Sequence, residues 1–124
     1  MVVAAYNAAE TIEGCLKALV GQTLKAEVVV VDDGSEDNTV GVVERFPVKL
    51  VRSKHLGASA ARSLGVKTAG GSIVAFCDAD TQPARDWLER LVKGFQGEKV
   101  GAVTGRIVFG DVGWCCGGCL FGWG

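Results

Sequence analysis

Asp78 and Asp80 are two carboxylates spaced i, i+2 directly after the apolar run Ile73 to Cys77. At the end of a strand such a pair can turn toward one cavity. Hard divalent cations such as Mg²⁺ or Mn²⁺ take oxygen ligands of this kind, usually one or two carboxylates plus substrate phosphates. A cation held there can neutralise a pyrophosphate leaving group, which is Lewis-acid catalysis. An Asp-rich turn that caps the next helix accounts for the same residues equally well.

Asp32 and Asp33 form a second acidic pair, after the run Glu27 to Val31. A carboxylate at a strand end can accept a hydrogen bond from a base N–H or a ribose hydroxyl, and Asp-Gly-Ser is also ordinary turn chemistry. Tyr6 follows the apolar stretch Val2 to Ala5 and offers either a ring to stack on a nucleobase or a half-buried packing residue. Arg62 can meet a phosphate, or it is a solvated helical charge. His55, the single histidine, reads as a loop residue, and Trp87 reads as packing. No Ser/His/Asp or Cys/His constellation is present in the sequence.

The elements that must carry these residues alternate between two periodicities. Val2 to Ala5 predicts a strand. Ile12, Cys15, Leu16, Leu19 and Val20 lie on one face of a helix that Gly21 ends. The valines from Val28 to Val31 predict a strand covered on both faces, as in a parallel sheet. Asn38 or Thr39 can cap a helix carrying Val42, Val43 and Phe46, which Pro47 stops. Val48 to Val51 predicts a third strand. Ala58 to Thr68 predicts a helix whose small residues Ala58, Ala61 and Gly65 permit close packing. After the Gly70-Gly71 turn comes the strand Ile73 to Cys77. A helix with Pro83 near its start then carries Leu88, Leu91, Val92 and Phe95. Val100 to Val103 and Ile107 to Phe109 are further strand candidates. From Gly110 no period of two or 3.6 holds, so residues 110–124 stay an unassigned tail rich in Gly, Cys and Trp, with the look of a strand or loop severed from its partners. Strands alternating with helices predict an α/β fold with a mostly parallel sheet, in which ligands bind outside the carboxyl ends of the strands. Tyr6-Asn7, Asp32-Asp33 and Asp78-Ala79-Asp80 all fall at that end.

Composition narrows the class of partner. Of 124 residues, 48% are hydrophobic and 22% charged, with a formal net charge of −1. That balance is globular, and nothing in it argues for nucleic acid or an anionic membrane as partner, so no nucleic acid is expected. No stretch reaches the roughly 18–20 apolar residues of a membrane span, and Met1 to Ala5 lack the features of a signal peptide. Cys15 and Cys77 sit inside apolar patterns as small core residues. Cys115, Cys116 and Cys119 cluster in the tail, where the Cys116–Cys119 spacing fits only half a zinc site. A reduced, cytoplasmic setting is the expectation, with the inner face of a membrane open to a longer protein.

The order of these motifs resembles the family 2 glycosyltransferases of the GT-A fold. The likeness is carried by Ala4-Ala5-Tyr6-Asn7-Ala8-Ala9-Glu10-Thr11-Ile12, Val30-Val31-Asp32-Asp33-Gly34-Ser35, and Gly57 to Gly65 leading to Phe76-Cys77-Asp78-Ala79-Asp80. Gln22-Thr23 and Asp86-Trp87-Leu88 add to it, and it runs from Val2 to about Phe109, so that residues 1–109 would be an incomplete GT-A, Rossmann-like domain. The resemblance implies that Ala4, Ala5 and Tyr6 wall the nucleobase and that Asp33 hydrogen-bonds it. Asp78 would lie by the ribose and diphosphate, and Asp80 would hold Mg²⁺ or Mn²⁺. The donor would be a nucleoside diphosphate sugar, most often a UDP-sugar in the family, with GDP and dTDP open. Transfer would go to a hydroxyl of a glycan, lipid or protein, with inversion.

Three features depart from the family pattern. The chain starts within the first strand, Ser63 stands where the family often has Asn, and nothing after Asp80 corresponds to the family's acidic base, Asp111 being too early. The catalytic base is therefore expected to be missing, and Val108, Phe109, Trp114, Leu120, Phe121 and Trp123 are expected to leave an apolar edge that promotes self-association. A non-catalytic nucleotide-binding fragment is the alternative function. A haloacid-dehalogenase-like phosphatase fails because Gln82 stands where its motif needs Thr or Val, and a dinucleotide-binding domain fails because Tyr6-Asn7-Ala8-Ala9 has no glycine-rich turn.

Overall fold

The computed structural model describes residues 1–95 and 100–104, and the backbone alone at 119–122. The order is β1 (Val2–Ala5), α1 (Ile12–Val20), β2 (Val29–Asp32), α2 (Thr39–Val43), β3 (Lys49–Arg52), α3 (Ala58–Thr68), β4 (Ile73–Asp78), α4 (Trp87–Gly94), β5 (Ala102–Thr104) and β6 (Cys119–Gly122). The strands form one sheet in the order β3-β2-β1-β4-β6-β5. β1 is parallel to β2 and to β4, and β2 is parallel to β3. β6 is antiparallel to both β4 and β5.

Alternation along the strands sorts the core into two layers. Val3, Ala5, Val28, Val30, Ala75 and Cys77 meet Ile12, Cys15, Leu16 and Leu19 of α1, Val42 and Val43 of α2, and Trp87, Leu88 and Leu91 at α4. On the other face Val2, Val29, Val31 and Val74 pack with Ala61, with Leu64 against them. The valine run is buried on both sides, as its composition predicts. The chain builds outward from β1 through β2 to β3, then returns to place β4 on the other side of β1. That reversal is the switch point at which an open α/β sheet leaves a crevice. Register fixes who meets there: Ala5 lies beside Asp32 and Ala4 beside Asp78.

α3 lies against β1 and β2, and at Gly65 the approach leaves no room for a side chain. A Cβ on Gly65 would collide with Val2 Cγ1 and sit 3.3 Å from Val31 Cγ2. Gly65→Ala is expected to cost about 1–3 kcal/mol by overpacking, measured as a lower Tm than wild type in thermal unfolding.

Three expectations are corrected. α4 begins at Trp87, and Pro83 belongs to an irregular stretch before it. The cause is Gln22, buried to 1% exposure. Its amide nitrogen donates to Ala84 O at 2.8 Å and its amide oxygen accepts from Leu88 N–H at 2.9 Å. Those two backbone groups would pair with each other if the helix began a turn earlier. α2 stops at Val43 and does not carry Phe46; Arg45 and Phe46 bond i→i−3 to Val42 and Val43 in a tightened turn. Its first N–H is served by Asp37, not by the Asn38 side chain: Thr39 N–H donates to Asp37 Oδ1 at 2.9 Å. Lastly, residues 119–122 of the tail form a paired strand at the middle of the sheet's antiparallel half. The expected strand at Ile107 to Phe109 and the features placed on Val108, Asp111, Trp114, Cys115, Cys116 and Trp123 lie outside the described residues, as do the side chains of Cys119, Leu120 and Phe121. Among the described residues no helix is long and apolar enough to cross a membrane.

Candidate functional site

The carboxyl ends of β1 and β2 and the start of α3 enclose a cavity of about 220 Å³. Ala4, Ala5, Tyr6, Asp33, His55, Gly57, Ala58 and Ala61 line it. Four of these, Ala4, Ala5, Tyr6 and Asp33, are among the site residues expected from the sequence. Alanines and a glycine keep the walls flat, so room is left for a planar group. Tyr6 is 47% exposed, and its ring centroid lies 4.3 Å from that of His55, the planes tilted by 39°.

The tyrosine's loop is tied down by residues 35–39. Asn7 N–H donates to Ser35 Oγ at 2.9 Å, and Asn7 Oδ1 accepts from Glu36 N–H at 2.8 Å. Ala8 N–H donates to Thr39 Oγ1 at 2.8 Å and Ala9 N–H to Asp37 Oδ2 at 2.9 Å. The β1–α1 loop is thus held by the β2–α2 loop.

The two carboxylates of the Asp32-Asp33 pair do different jobs. Asp32 Oδ1 accepts from Ser35 N–H at 3.4 Å, which is the turn chemistry. Asp33 is the cavity residue, 3% exposed. Its Oδ1 accepts from the Ser53 hydroxyl and from Leu56 N–H at 2.9 Å, and its Oδ2 accepts from Gly57 N–H at 2.7 Å. His55 Nδ1 lies 3.2 Å from Asp33 O and 3.9 Å from Oδ2. Asp33 therefore shapes the whole Ser53–Gly57 loop, in which His55 and Gly57 both have positive φ. The Ser53 hydroxyl is the main cause that holds the Asp33 carboxyl below its ordinary value; Leu56 and Gly57 N–H and the His55 ring add to it, against the opposing effect of burial.

A carboxyl held below its unfolded value of 3.8 adds stability that is full well above that pH. The contribution is lost as pH falls through 3.8 toward the folded value. Ser53→Ala is accordingly expected to lower Tm most at neutral pH, with the gap from wild type closing as pH drops below 4; melting curves from pH 7 to pH 2 check it.

Arg62, Asp78 and Asp80 are not among the cavity's lining residues. They lie beside it: Arg62 follows the lining residue Ala61, and Asp78 pairs in register with Ala4. Arg62 Nη2 donates to Asp78 Oδ1 at 2.7 Å, so these two expected ligands meet each other. Asp78 and Asp80 are both exposed, and Asp80 Oδ1 accepts from the Thr81 hydroxyl at 3.5 Å. Among the described residues no three His, Cys, Asp or Glu side chains cluster as a metal site. Two exposed carboxylates nonetheless suit a hard cation that keeps its waters and takes its remaining ligands from a diphosphate.

The sequence reading missed Ser53, His55 and Gly57. A glycine directly before the predicted helix Ala58 to Thr68, in a segment carrying Ser and His, was the available signal.

The family model for glycosyl transferase family 2 matches residues 1–114. Glycosyltransferase AglE of Haloferax volcanii is 37% identical over 88% of this chain and 39% of its own length. The cholesterol galactosyltransferase of Borreliella burgdorferi is 33% identical over 73% of the chain and 27% of its length. Among solved structures, S. aureus TarS in complex with UDP-GlcNAc aligns with a TM-score of 0.74 at 27% identity, covering 89% of this chain and 36% of that one. Glucosyl-3-phosphoglycerate synthase from Mycobacterium tuberculosis, in complex with Mn²⁺, UDP and glucosyl-3-phosphoglycerate, aligns at 0.72 and 25% identity, over 82% and 40%. The chain thus spans well under half the length of these relatives. The parallel four-stranded core flanked by helices is the GT-A arrangement, and the chain belongs to glycosyl transferase family 2.

Proposed function

We propose that this chain binds the donor of a glycosyl transfer, a UDP-sugar, and that the protein it belongs to moves the sugar to an acceptor hydroxyl with inversion. The observation that carries this reading is the cavity at the switch point, walled by Ala4, Ala5 and Tyr6 and floored by Asp33. Tyr6 stacks on the base. Asp33 selects it. A carboxylate has about four acceptor positions, and three are taken by Ser53, Leu56 and Gly57. The one remaining suits a base edge with a single N–H, as in uracil or thymine. Guanine presents two adjacent donors that need two oxygens.

Asp78 lies by the ribose and diphosphate in this reading, and Arg62, now paired with Asp78, is within reach to turn to a phosphate. The donor set at Asp78 and Asp80 fits Mg²⁺ or Mn²⁺, with Asp80 as the protein ligand. Such a cation, when bound, offsets the charge that grows on the departing nucleoside diphosphate. Bound UDP and UDP-GlcNAc in S. aureus TarS, and UDP with Mn²⁺ in the M. tuberculosis synthase, support the same choice.

Calorimetry with UDP and GDP in Mn²⁺ tests this. UDP is expected to bind at least about tenfold tighter, because a base whose donors are left unpaired loses affinity. Absence of UDP binding would overturn the reading, and equal affinity for GDP would overturn the role of Asp33.

A further inference from the structure

Cys15 on α1 and Cys77 on β4 are 62 residues apart in sequence, yet their sulfurs lie 4.0 Å apart. Cys15 is fully buried and Cys77 is 4% exposed. They are not joined by a disulfide. Both point at one acceptor: Cys15 Sγ is 3.4 Å and Cys77 Sγ 3.6 Å from Asp78 O. The same oxygen accepts from Thr81 N–H at 3.0 Å. The two thiols thus sit directly beneath the turn that carries Asp78 and Asp80.

We infer that Cys15 and Cys77 form an oxidisable dithiol, closed to a disulfide by hydrogen peroxide, that lowers affinity at the neighbouring donor site. This rests on the donor-binding reading of that site. The chemistry is self-contained. The Cys77 sulfur, the more exposed of the two, attacks peroxide, breaking the O–O bond to give a sulfenic acid and one water. The Cys15 sulfur displaces the hydroxyl as a second water, forming one S–S bond. Two S–H bonds are lost, both sulfurs are oxidised, and the peroxide is reduced to two waters.

The coupling to the site is geometric. A disulfide is about 2.05 Å long, so the sulfurs must approach by roughly 2 Å. That motion draws α1 toward the end of β4. It also removes both S–H donors from Asp78 O, leaving Thr81 N–H as its remaining partner among these three. The Asp78 carbonyl is then held less firmly, although Asp78 stays paired with Ala4, and the Arg62–Asp78 ion pair and the turn to Asp80 shift with it. Neither sulfur lines the nucleobase cavity, so an effect on the diphosphate end is expected without loss of the base pocket.

The test uses the full chain carrying Cys115→Ser, Cys116→Ser and Cys119→Ser, which removes competing thiols. Native protein is treated with hydrogen peroxide, alkylated, digested and mapped by mass spectrometry. UDP affinity in Mn²⁺ is measured before oxidation, after it, and after dithiothreitol. A Cys15–Cys77 cross-linked peptide, an affinity drop of about tenfold and full recovery on reduction are expected. Cys15→Ser should bind UDP as the reduced protein does and ignore peroxide; Cys77→Ser, which likewise keeps a donor toward Asp78 O, serves the same purpose if that variant melts early. No cross-link in the folded protein overturns the dithiol, and a cross-link with unchanged affinity overturns the control. Failure of the reduced protein to bind UDP overturns the donor-site reading instead, while the peptide map still decides whether the disulfide forms.

Discussion

Asp80→Ala is expected to weaken UDP binding in Mn²⁺ on the order of a hundredfold and to change little in EDTA. The asymmetry follows from where Asp80 sits. It is exposed, outside the nucleobase cavity and on the turn after β4, so it has no route to the base. Its carboxylate can act on the nucleotide only through a cation that bridges to the diphosphate. Fold and stability should survive, since the side chain's contact with the buried Thr81 hydroxyl is long, at 3.5 Å. Calorimetry of wild type and variant in the two buffers reads the effect as a ratio of ratios. Equal losses in Mn²⁺ and EDTA would remove the cation from the account of Asp80 and leave the nucleobase cavity untouched.

Asp33→Asn is expected to be comparably severe, about a hundredfold in UDP affinity, but by the same factor with and without metal. The change is nearly isosteric. It nonetheless puts an NH₂ where one oxygen stood. If the amide oxygen keeps Ser53 and Leu56, its nitrogen faces Gly57 N–H across the 2.7 Å now occupied by a hydrogen bond. Two donors then oppose each other, and the Ser53–Gly57 loop must open. The base loses its acceptor at the same time. A lower Tm should therefore accompany the lost affinity, which separates this variant from Asp80→Ala. Unchanged UDP binding in folded Asp33→Asn would show that the base is read elsewhere.

How much of this was legible in the sequence depends on the reach of each interaction. α1 and α3 were readable to the residue, because the apolar spacing and the small residues of Ala58–Thr68 act locally. The doubly buried valine strand was readable for the same reason. The start of α4 was not, because Gln22 determines it from 62 and 66 positions away. β6 gave no period, since its pairing with β4 and β5 is a property of the assembled sheet. Motif order alone assigned Ala4, Ala5, Tyr6 and Asp33 to one site, and the fold lines one cavity with them. It left His55 as a plain loop residue, whereas the fold packs its ring at a tilt against Tyr6. The Asp32-Asp33 pair was ambiguous as two letters, and only the register, which turns one toward Ser35 and the other into the cavity, divides the labour.

The placement of β6 between β4 and β5 has a consequence for the order of assembly. β5 is made before β6, yet among the described strands its hydrogen-bonded neighbour is β6 alone. As the chain emerges during synthesis, β1 to β4 can pair with one another as soon as each appears. Ala102–Thr104 must wait for residues 119–122 to arrive and slot in beside Ile73–Ala75. The parallel half of the sheet, with the nucleobase cavity at its carboxyl edge, can therefore be complete while β4 still presents a bare edge to the solvent. For that interval the edge is a template for any passing strand. A newborn chain is thus most exposed to mispairing after its cavity can form and before β6 has paired with β4.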